Sequence, residues 1–447
     1  MTNSAKPTEI PTKKPAYSQN FARENAAYNR EWFKDLQQRV KGGEPFAYVH
    51  INVPLEIFRA MGINVVVNQW WSSVVGAKRK TLRYKNMLKE RGYRDNMCDY
   101  CSSGLASLME TDPEEAPWGG LPKPTVIVSG KGCSAVEKIF DLFSEEYGIP
   151  HISVDVAASP ISISDVVSDL SENWDKYYDQ RQITAYVEQY RDLIAFLEQH
   201  TGQVFSYSKF REIMALANEQ ETYYQKIRDL ILQSQPTPLN IADQLPATVI
   251  PQWHRGTEWA RDRAKLFYDN TKAMVDAGEA ACKEEKFRLM WLGVGLWQNL
   301  GFYDHFRDNY GAVFSWNEYL ALAADGYRVA SNGDPLETVA ARMVNVMTVV
   351  RNDQWYLDQA IAGELDGVVL MGLGSISEGG TCGYSFSRPA TTVSLLKRAG
   401  IPVCEIQGDP VNPARFDEVG LKAQIGKFIE EEVAPWQAAG RPLNNLK

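Results

Sequence analysis

The spacing of apolar and polar positions divides the chain into short apolar runs and longer helical stretches. Residues 46–52 (Phe-Ala-Tyr-Val-His-Ile-Asn) read as a strand, and 54–62 as a compact helix with Pro54 near its start and Gly62 at its end. A β-branched run at 63–67 predicts a second strand. Two more are predicted at 125–129 and 151–156, with an amphipathic helix over 134–147 between them. Strands alternating with helices predict a parallel sheet of the doubly wound kind. Over 165–235 Tyr, Leu and Ile recur at helical spacing among charged residues, with almost no glycine, which predicts a run of helices. The proline-rich stretch from Gln235 through Pro251 reads as a connector, and 257–283 as a further helix. Strand-like runs return at 287–292, 311–316, 366–371 and 402–406, each followed by a loop and helix-like sequence. The expected class is α/β: two Rossmann-like, doubly wound lobes with parallel sheets, joined by a helical segment. Its divisions are a tail and helix over 1–45, a first lobe over 46–164, a helical connector over 165–284 and a second lobe over 285–447.

Composition narrows the function. With 447 residues, 44% hydrophobic and 23% charged, the chain is long enough for two or three globular cores. A net charge of -9 argues against a nucleic-acid partner, which calls for a basic footprint. No apolar stretch approaches the roughly 18 residues of a membrane span, and the residues before Pro15 hold no apolar signal-like segment. The expected location is the cytoplasm, with no membrane partner.

Six cysteines stand at 98, 101, 133, 282, 382 and 404. In a large chain of this kind, metal binding or catalysis is a commoner use than disulfides. Ligands of open parallel sheets gather at the carboxyl ends of strands. Cys133 follows the strand at 125–129 after a Gly-Lys-Gly turn and opens the helix at Ser134, where dipole and free donors favour a thiolate. Cys382 lies in a glycine-rich loop after the strand ending at Met371 and precedes a helix at 391–399. Cys98-Asp-Tyr-Cys101 precedes another helix-like segment; alone it fits a redox pair or half of a zinc site, and no second Cys-x-x-Cys or His pair completes the latter. Three such loops facing each other across the lobes suit an iron–sulfur cubane with one open iron. Each cysteine taken singly is more often a small buried hydrophobe than a ligand. That role is assigned to Cys282, on the predicted helix, and to Cys404, inside an apolar strand.

These segments resemble the 2-hydroxyacyl-CoA dehydratase and benzoyl-CoA reductase family over nearly the whole chain, from Phe46 to Ala434. The resemblance rests on Pro54-Leu-Glu-Ile-Phe-Arg-Ala-Met-Gly-Ile63, on Cys98-Asp-Tyr100, and on Ile127-Val-Ser-Gly-Lys-Gly-Cys133 with the strand from Pro150 to Val156. It extends to the run from Asp366 through Cys382 and to Gly400-Ile-Pro-Val-Cys-Glu-Ile-Gln-Gly-Asp409. The chain departs from the family in its extra Cys101 and in lacking an Arg-rich pattern after Asp409.

The resemblance implies a [4Fe-4S] cluster between the lobes on Cys98, Cys133 and Cys382, with Cys98 preferred to Cys101, and no flavin. It further implies an acyl-CoA thioester substrate, a homologous second subunit, and an ATP-dependent iron–sulfur activator that injects one electron. The leading reading is a subunit of an (R)-2-hydroxyacyl-CoA dehydratase working through a ketyl radical. A benzoyl-CoA-type ring reductase and a non-catalytic electron-relay subunit are the alternatives. Ser72 and Ser73 are candidate catalytic hydroxyls, and Glu378 is a candidate base or fourth ligand. Gln69, Trp70 and Trp71 are candidates to bind the thioester and wall a dry pocket, and Lys78, Arg79 and Lys80 to meet coenzyme A phosphates. The plain alternatives are core or interface aromatics for the tryptophans and a solvated helix face for the basic residues. His50 and His305 read as structural.

Overall fold

Four short runs rich in β-branched and aromatic residues build the first sheet: β1 (Phe46–Val49), β2 (Asn64–Val67), β3 (Val126–Gly130) and β4 (His151–Val154). Their side chains are buried almost without interruption through β1 and β3, as expected of strands covered on both faces. All pair in parallel, in the order β2-β1-β3-β4. The second sheet repeats this winding with β5 (Phe287–Leu292), β6 (Ala312–Asn317), β7 (Gly367–Leu373) and β8 (Val403–Gly408), in the order β6-β5-β7-β8. The two lobes therefore share one architecture, and the expected doubly wound α/β class holds. In each sheet the direction of winding reverses at one place, between β1 and β3 and between β5 and β7. Such switch points open a crevice at the strand ends.

This computed structural model describes residues 16–155, 157–159, 167–330, 333–373 and 383–444. Helix α1 (Ala16–Lys41) leads into the first lobe, which carries α2 (Leu55–Ala60), α3 (Asn68–Ala77), α4 (Thr81–Glu90), α5 (Asp99–Ser107) and α6 (Ser134–Tyr147). Next come α7 (Val167–Asn173), α8 (Gln180–Thr201), α9 (Tyr207–Gln233), α10 (Ile241–Trp253) and α11 (Glu258–Asp276). The second lobe adds α12 (Asp304–Tyr310), α13 (Glu318–Asp325), α14 (Pro335–Val350), α15 (Asp353–Ala362), α16 (Gly383–Arg398), α17 (Glu418–Phe428) and α18 (Ala434–Ala438). Among the described residues no helix is long and apolar enough to cross a membrane.

Two sequence expectations are corrected. The stretch read as a connector through Pro251 contains α10, a helix that accommodates Pro246 and Pro251. Burial overrides propensity here. Ile241, Leu245, Ala247 and Val249 are all interior, the Asn240 side chain caps the first turn, and Asn25 of α1 donates to the Pro246 carbonyl. The helix expected over 257–283 ends at Asp276, and Gly278 turns the chain at φ +68°. Cys282 thus lies beyond the helix, half-buried, its thiol pushed up by burial. Cys404 sits in β8 as expected, buried, with burial pushing its thiol up to about 11.

Candidate functional site

A cavity of about 200 Å³ lies where the two switch points face each other. From the first lobe it is lined by His50, Ile51 and Asn52 after β1, Gly132 and Cys133 after β3, and Cys98, Tyr100 and Cys101 at the start of α5. The second lobe supplies Gly293 and Val294 after β5, and Glu318 and Tyr319 after β6. Helix α10 and the turn following it close the cavity with Thr248, Gln252, Trp253 and Arg255.

Two expected cysteines meet here. Cys98 is the N-cap of α5 and Cys133 the N-cap of α6, both in extended backbone and neither making a side-chain capping bond. Both are free thiols, partly open. A thiolate at either place faces the unpaired N–H groups of a first helical turn. Cys101, one turn along α5, also reaches the cavity wall but is buried, beside the Tyr48 hydroxyl. Cys382 and Glu378 lie outside the described residues. Among the described residues no three His, Cys, Asp or Glu side chains are grouped to hold a metal ion. Two half-open cysteines at helix N-termini fit the soft sulfur donors of an iron–sulfur cluster.

The start of α5 is clamped to the second lobe. Asn412 donates to the Asp99 carboxylate, and the Thr81 hydroxyl donates to the Val411 carbonyl at 2.8 Å. Gly76 lies so close to Val411 that an added Cβ would stand 2.9 Å from the Val411 Cβ. Asp409 accepts from the Val411 and Asn412 N–H groups. Burial, with Asp99 nearby, pushes its carboxyl up to about 6.

The other candidates divide. Gln69 lines the cavity, and its Oε1 accepts from the Ile51 N–H at 2.9 Å, which fixes the loop after β1. Ser72, Ser73, Trp70 and Trp71 do not line it; they belong to α3, which turns them elsewhere. The Ser72 hydroxyl donates to the Tyr100 carbonyl and that of Ser73 to the Trp70 carbonyl, both at 2.6 Å. Trp71 is fully buried with Nε1 on Ser107, and Trp70 packs on Trp32, Phe33 and Trp118. The tryptophan pair is therefore core. Lys78 and Arg79 are exposed at the end of α3, away from the cavity wall, and Arg79 Nη1 meets Gln298 at 3.3 Å. Lys80 pairs with Glu115. His305 packs against Phe306 and Tyr310. His50 is buried in the wall, and burial lowers its imidazole to about 3, so it is neutral; its Nδ1 accepts from the Asn52 N–H.

Sequence reasoning missed the α10 wall because its prolines read as a connector. Behind that wall lies a buried charge network. Glu56 Oε1 accepts from Arg255 Nε at 2.8 Å and from Arg342 Nη1 at 2.9 Å, with all three side chains at most 1% exposed. Burial opposes ionisation of Glu56, yet the two guanidinium groups hold its carboxyl down at about 2. Glu221, bonded to Gln252 Nε2, is pushed the other way by burial, up to about 7.

Across this frame, from residue 50 to 431, the sequence matches the profile described as 2-hydroxyglutaryl-CoA dehydratase, D-component. The chain belongs to that family. Three relatives span most of its length. The (R)-2-hydroxyisocaproyl-CoA dehydratase alpha subunit of Clostridioides difficile is 22% identical, covering 87% of this chain and 90% of the relative. The (R)-phenyllactyl-CoA dehydratase alpha subunit of Clostridium sporogenes is 24% identical, covering 89% and 91%. The lactoyl-CoA dehydratase subunit alpha of Anaerotignum propionicum is 21% identical, covering 91% and 95%.

Proposed function

We propose that this chain is the cluster-bearing subunit of a dehydratase that removes water from a 2-hydroxyacyl-CoA, with Cys98, Cys133 and Cys382 holding a [4Fe-4S] cluster. The observation that carries the reading is that Cys98 and Cys133, on separate helix N-termini, line one cavity at facing switch points. When bound, the cluster supplies one-electron reduction and an open iron that acts as a Lewis acid toward a carbonyl oxygen.

The chain's own residues shape the surroundings of that chemistry. Elimination removes the 2-hydroxyl and a β-proton, leaving an enoyl-CoA, and a radical step of this kind calls for exclusion of water. Val136, Val249, Trp253 and Leu322 supply apolar walls. Neutral His50 brings no charge to the wall, and Gln69 pins the loop beside it. The N-termini of α5 and α6 present Cys98 and Cys133 to the cavity. Glu318, whose Oε1 accepts from the Tyr356 hydroxyl at 2.7 Å, is a carboxylate within the cavity wall.

A second subunit belongs to the same proposal, supported by the alpha-subunit names of the relatives. So does an ATP-dependent iron–sulfur activator as the electron source. The dehydratase names of those relatives favour water elimination over aromatic ring reduction. The test is anaerobic incubation of the complex and activator with 2-hydroxyglutaryl-, 2-hydroxyisocaproyl- and lactoyl-CoA, with products followed by mass spectrometry. ATP-dependent conversion of one thioester to its enoyl form, absent in Cys133→Ser, supports the reading; no conversion of any overturns it.

A further inference from the structure

Cys98, Cys101 and Cys133 line the cavity, and the cluster proposed above uses the first and the last and leaves Cys101 over. Cys98 is the N-cap of α5, and Cys101 stands three residues on, in the first turn of that helix. The Cys101 and Ser102 N–H groups both donate to the Cys98 carbonyl, at 3.1 and 3.0 Å. A turn closed in this way brings the Cα atoms of its first and fourth residues within about 7 Å. That is close to the span of about 4.4–6.8 Å that a disulfide bridges.

The two thiols differ in access. Cys98 is partly open, whereas Cys101 is 7% exposed, and both border the same cavity. An outer sulfur that meets an external oxidant and an inner sulfur that resolves it is the division of roles in a Cys-x-x-Cys pair at a helix start. The turn that carries them is held from outside the cavity. The Asp99 carboxylate accepts from Asn412, the Asp99 carbonyl from the Ser103 hydroxyl at 3.1 Å, and the Tyr100 carbonyl from the Ser72 hydroxyl. None of these bonds involves a cysteine sulfur, so the pair stays together whatever the cavity contains.

We propose that Cys98 and Cys101 form a reversible disulfide when the cavity holds no cluster, and that this bridge is a redox switch on cluster assembly. The oxidant is a low-molecular-weight disulfide. The Cys98 sulfur, giving up its proton, attacks one sulfur of that disulfide and releases one small thiol, leaving a mixed disulfide on Cys98. Cys101 then gives up its proton, attacks the Cys98 sulfur and releases the second small thiol. Two protein thiols are oxidised, one small disulfide is reduced, and the two protons leave on the two small thiols. The bridge occupies Cys98, so the oxidised chain takes up no iron until a dithiol reduces it. The bridge stands on the turn alone; its consequence for assembly rests on the cluster reading.

The test is peptide mapping of the complex, stripped of iron anaerobically with a chelator and then treated with oxidised glutathione. Trypsin cuts after Arg94 and Lys131 and spares Lys123, which precedes Pro124, so one peptide carries Cys98 and Cys101 and another carries Cys133. After alkylation the first peptide is expected to carry neither glutathione nor an alkyl group. Dithiothreitol should restore both its thiols, together with the uptake of iron and sulfide. In Cys101→Ser the same peptide should stop at a glutathione adduct on Cys98, while that variant, purified anaerobically, keeps its full iron. A cross-link from Cys98 to Cys133, a lasting glutathione adduct in the wild type, or loss of iron from anaerobic Cys101→Ser overturns the proposal. A bridge that never forms in a chain that binds iron normally sinks the switch and leaves the cluster reading standing. If the anaerobic wild type binds no iron, the cluster reading falls and takes the switch with it.

Discussion

Replacing Glu56 by Gln removes a carboxylate shared by two buried arginines, and its cost can be worked from the geometry. In the folded chain the Glu56 carboxyl lies at about 2 against an ordinary 4.5, in spite of complete burial, because Arg255 and Arg342 both point at Oε1. At 1.36 kcal/mol per pKa unit that gap is worth about 3 kcal/mol in favour of the ionised form. Glu56→Gln keeps an acceptor oxygen but strands two guanidinium groups, and breaking a buried pair in this way costs about 3–5 kcal/mol. The expected loss at pH 7 is therefore about 4 kcal/mol. It is measured by anaerobic urea unfolding followed through tryptophan fluorescence. The sign with pH is fixed: a depressed carboxyl contributes fully above about 4.5, and the contribution fades as pH falls through about 2. Wild type and variant should therefore converge over that window. A loss below about 1 kcal/mol, the range of exposed pairs, would refute the claim that this network is dry.

Two further outcomes follow from the same packing. Burial raises Glu221 to about 7, so its contribution is whole below about 4.5 and is lost as pH rises through 7. Glu221→Gln should flatten a wild-type stability decline of up to about 3 kcal/mol between pH 5 and 8, read from urea midpoints; an unchanged slope refutes it. Gly104→Ala in α5 would place a Cβ 2.2 Å from the Tyr48 hydroxyl, itself bonded to Asn68 at 2.7 Å. The overpacking should cost about 1–3 kcal/mol and, because α5 begins at Cys98, lower iron retention. A variant as stable and as iron-rich as wild type contradicts it.

Local pattern made the sheets legible. Most strands are built on short apolar runs, and the loops of Cys98 and Cys133 could be placed before their helices from neighbours alone. The helix over 134–147 matches the sequence reading at both ends. What escaped is non-local. Glu56 and Arg255 meet across 199 residues, and nothing in the spacing of either announces the other. The α10 wall was hidden by Pro246 and Pro251, whose helix-breaking tendency yields to burial. Aromatic and hydroxyl residues after β2 looked like pocket lining because they follow a strand end. The helix that forms there turns Trp71 and Ser72 into the interior, and only Gln69 toward the cavity.

The central claim is that Cys98 and Cys133 share in holding an iron–sulfur cluster. It is tested most directly by the iron and acid-labile sulfide content of the anaerobically purified protein, alongside Cys98→Ser, Cys133→Ser and Cys382→Ala. The account predicts about four irons and four sulfides per chain, lost in each variant and on exposure to air, with Cys404→Ser unchanged. Zinc in place of iron, or iron that persists in the Cys98 and Cys133 variants, would contradict it.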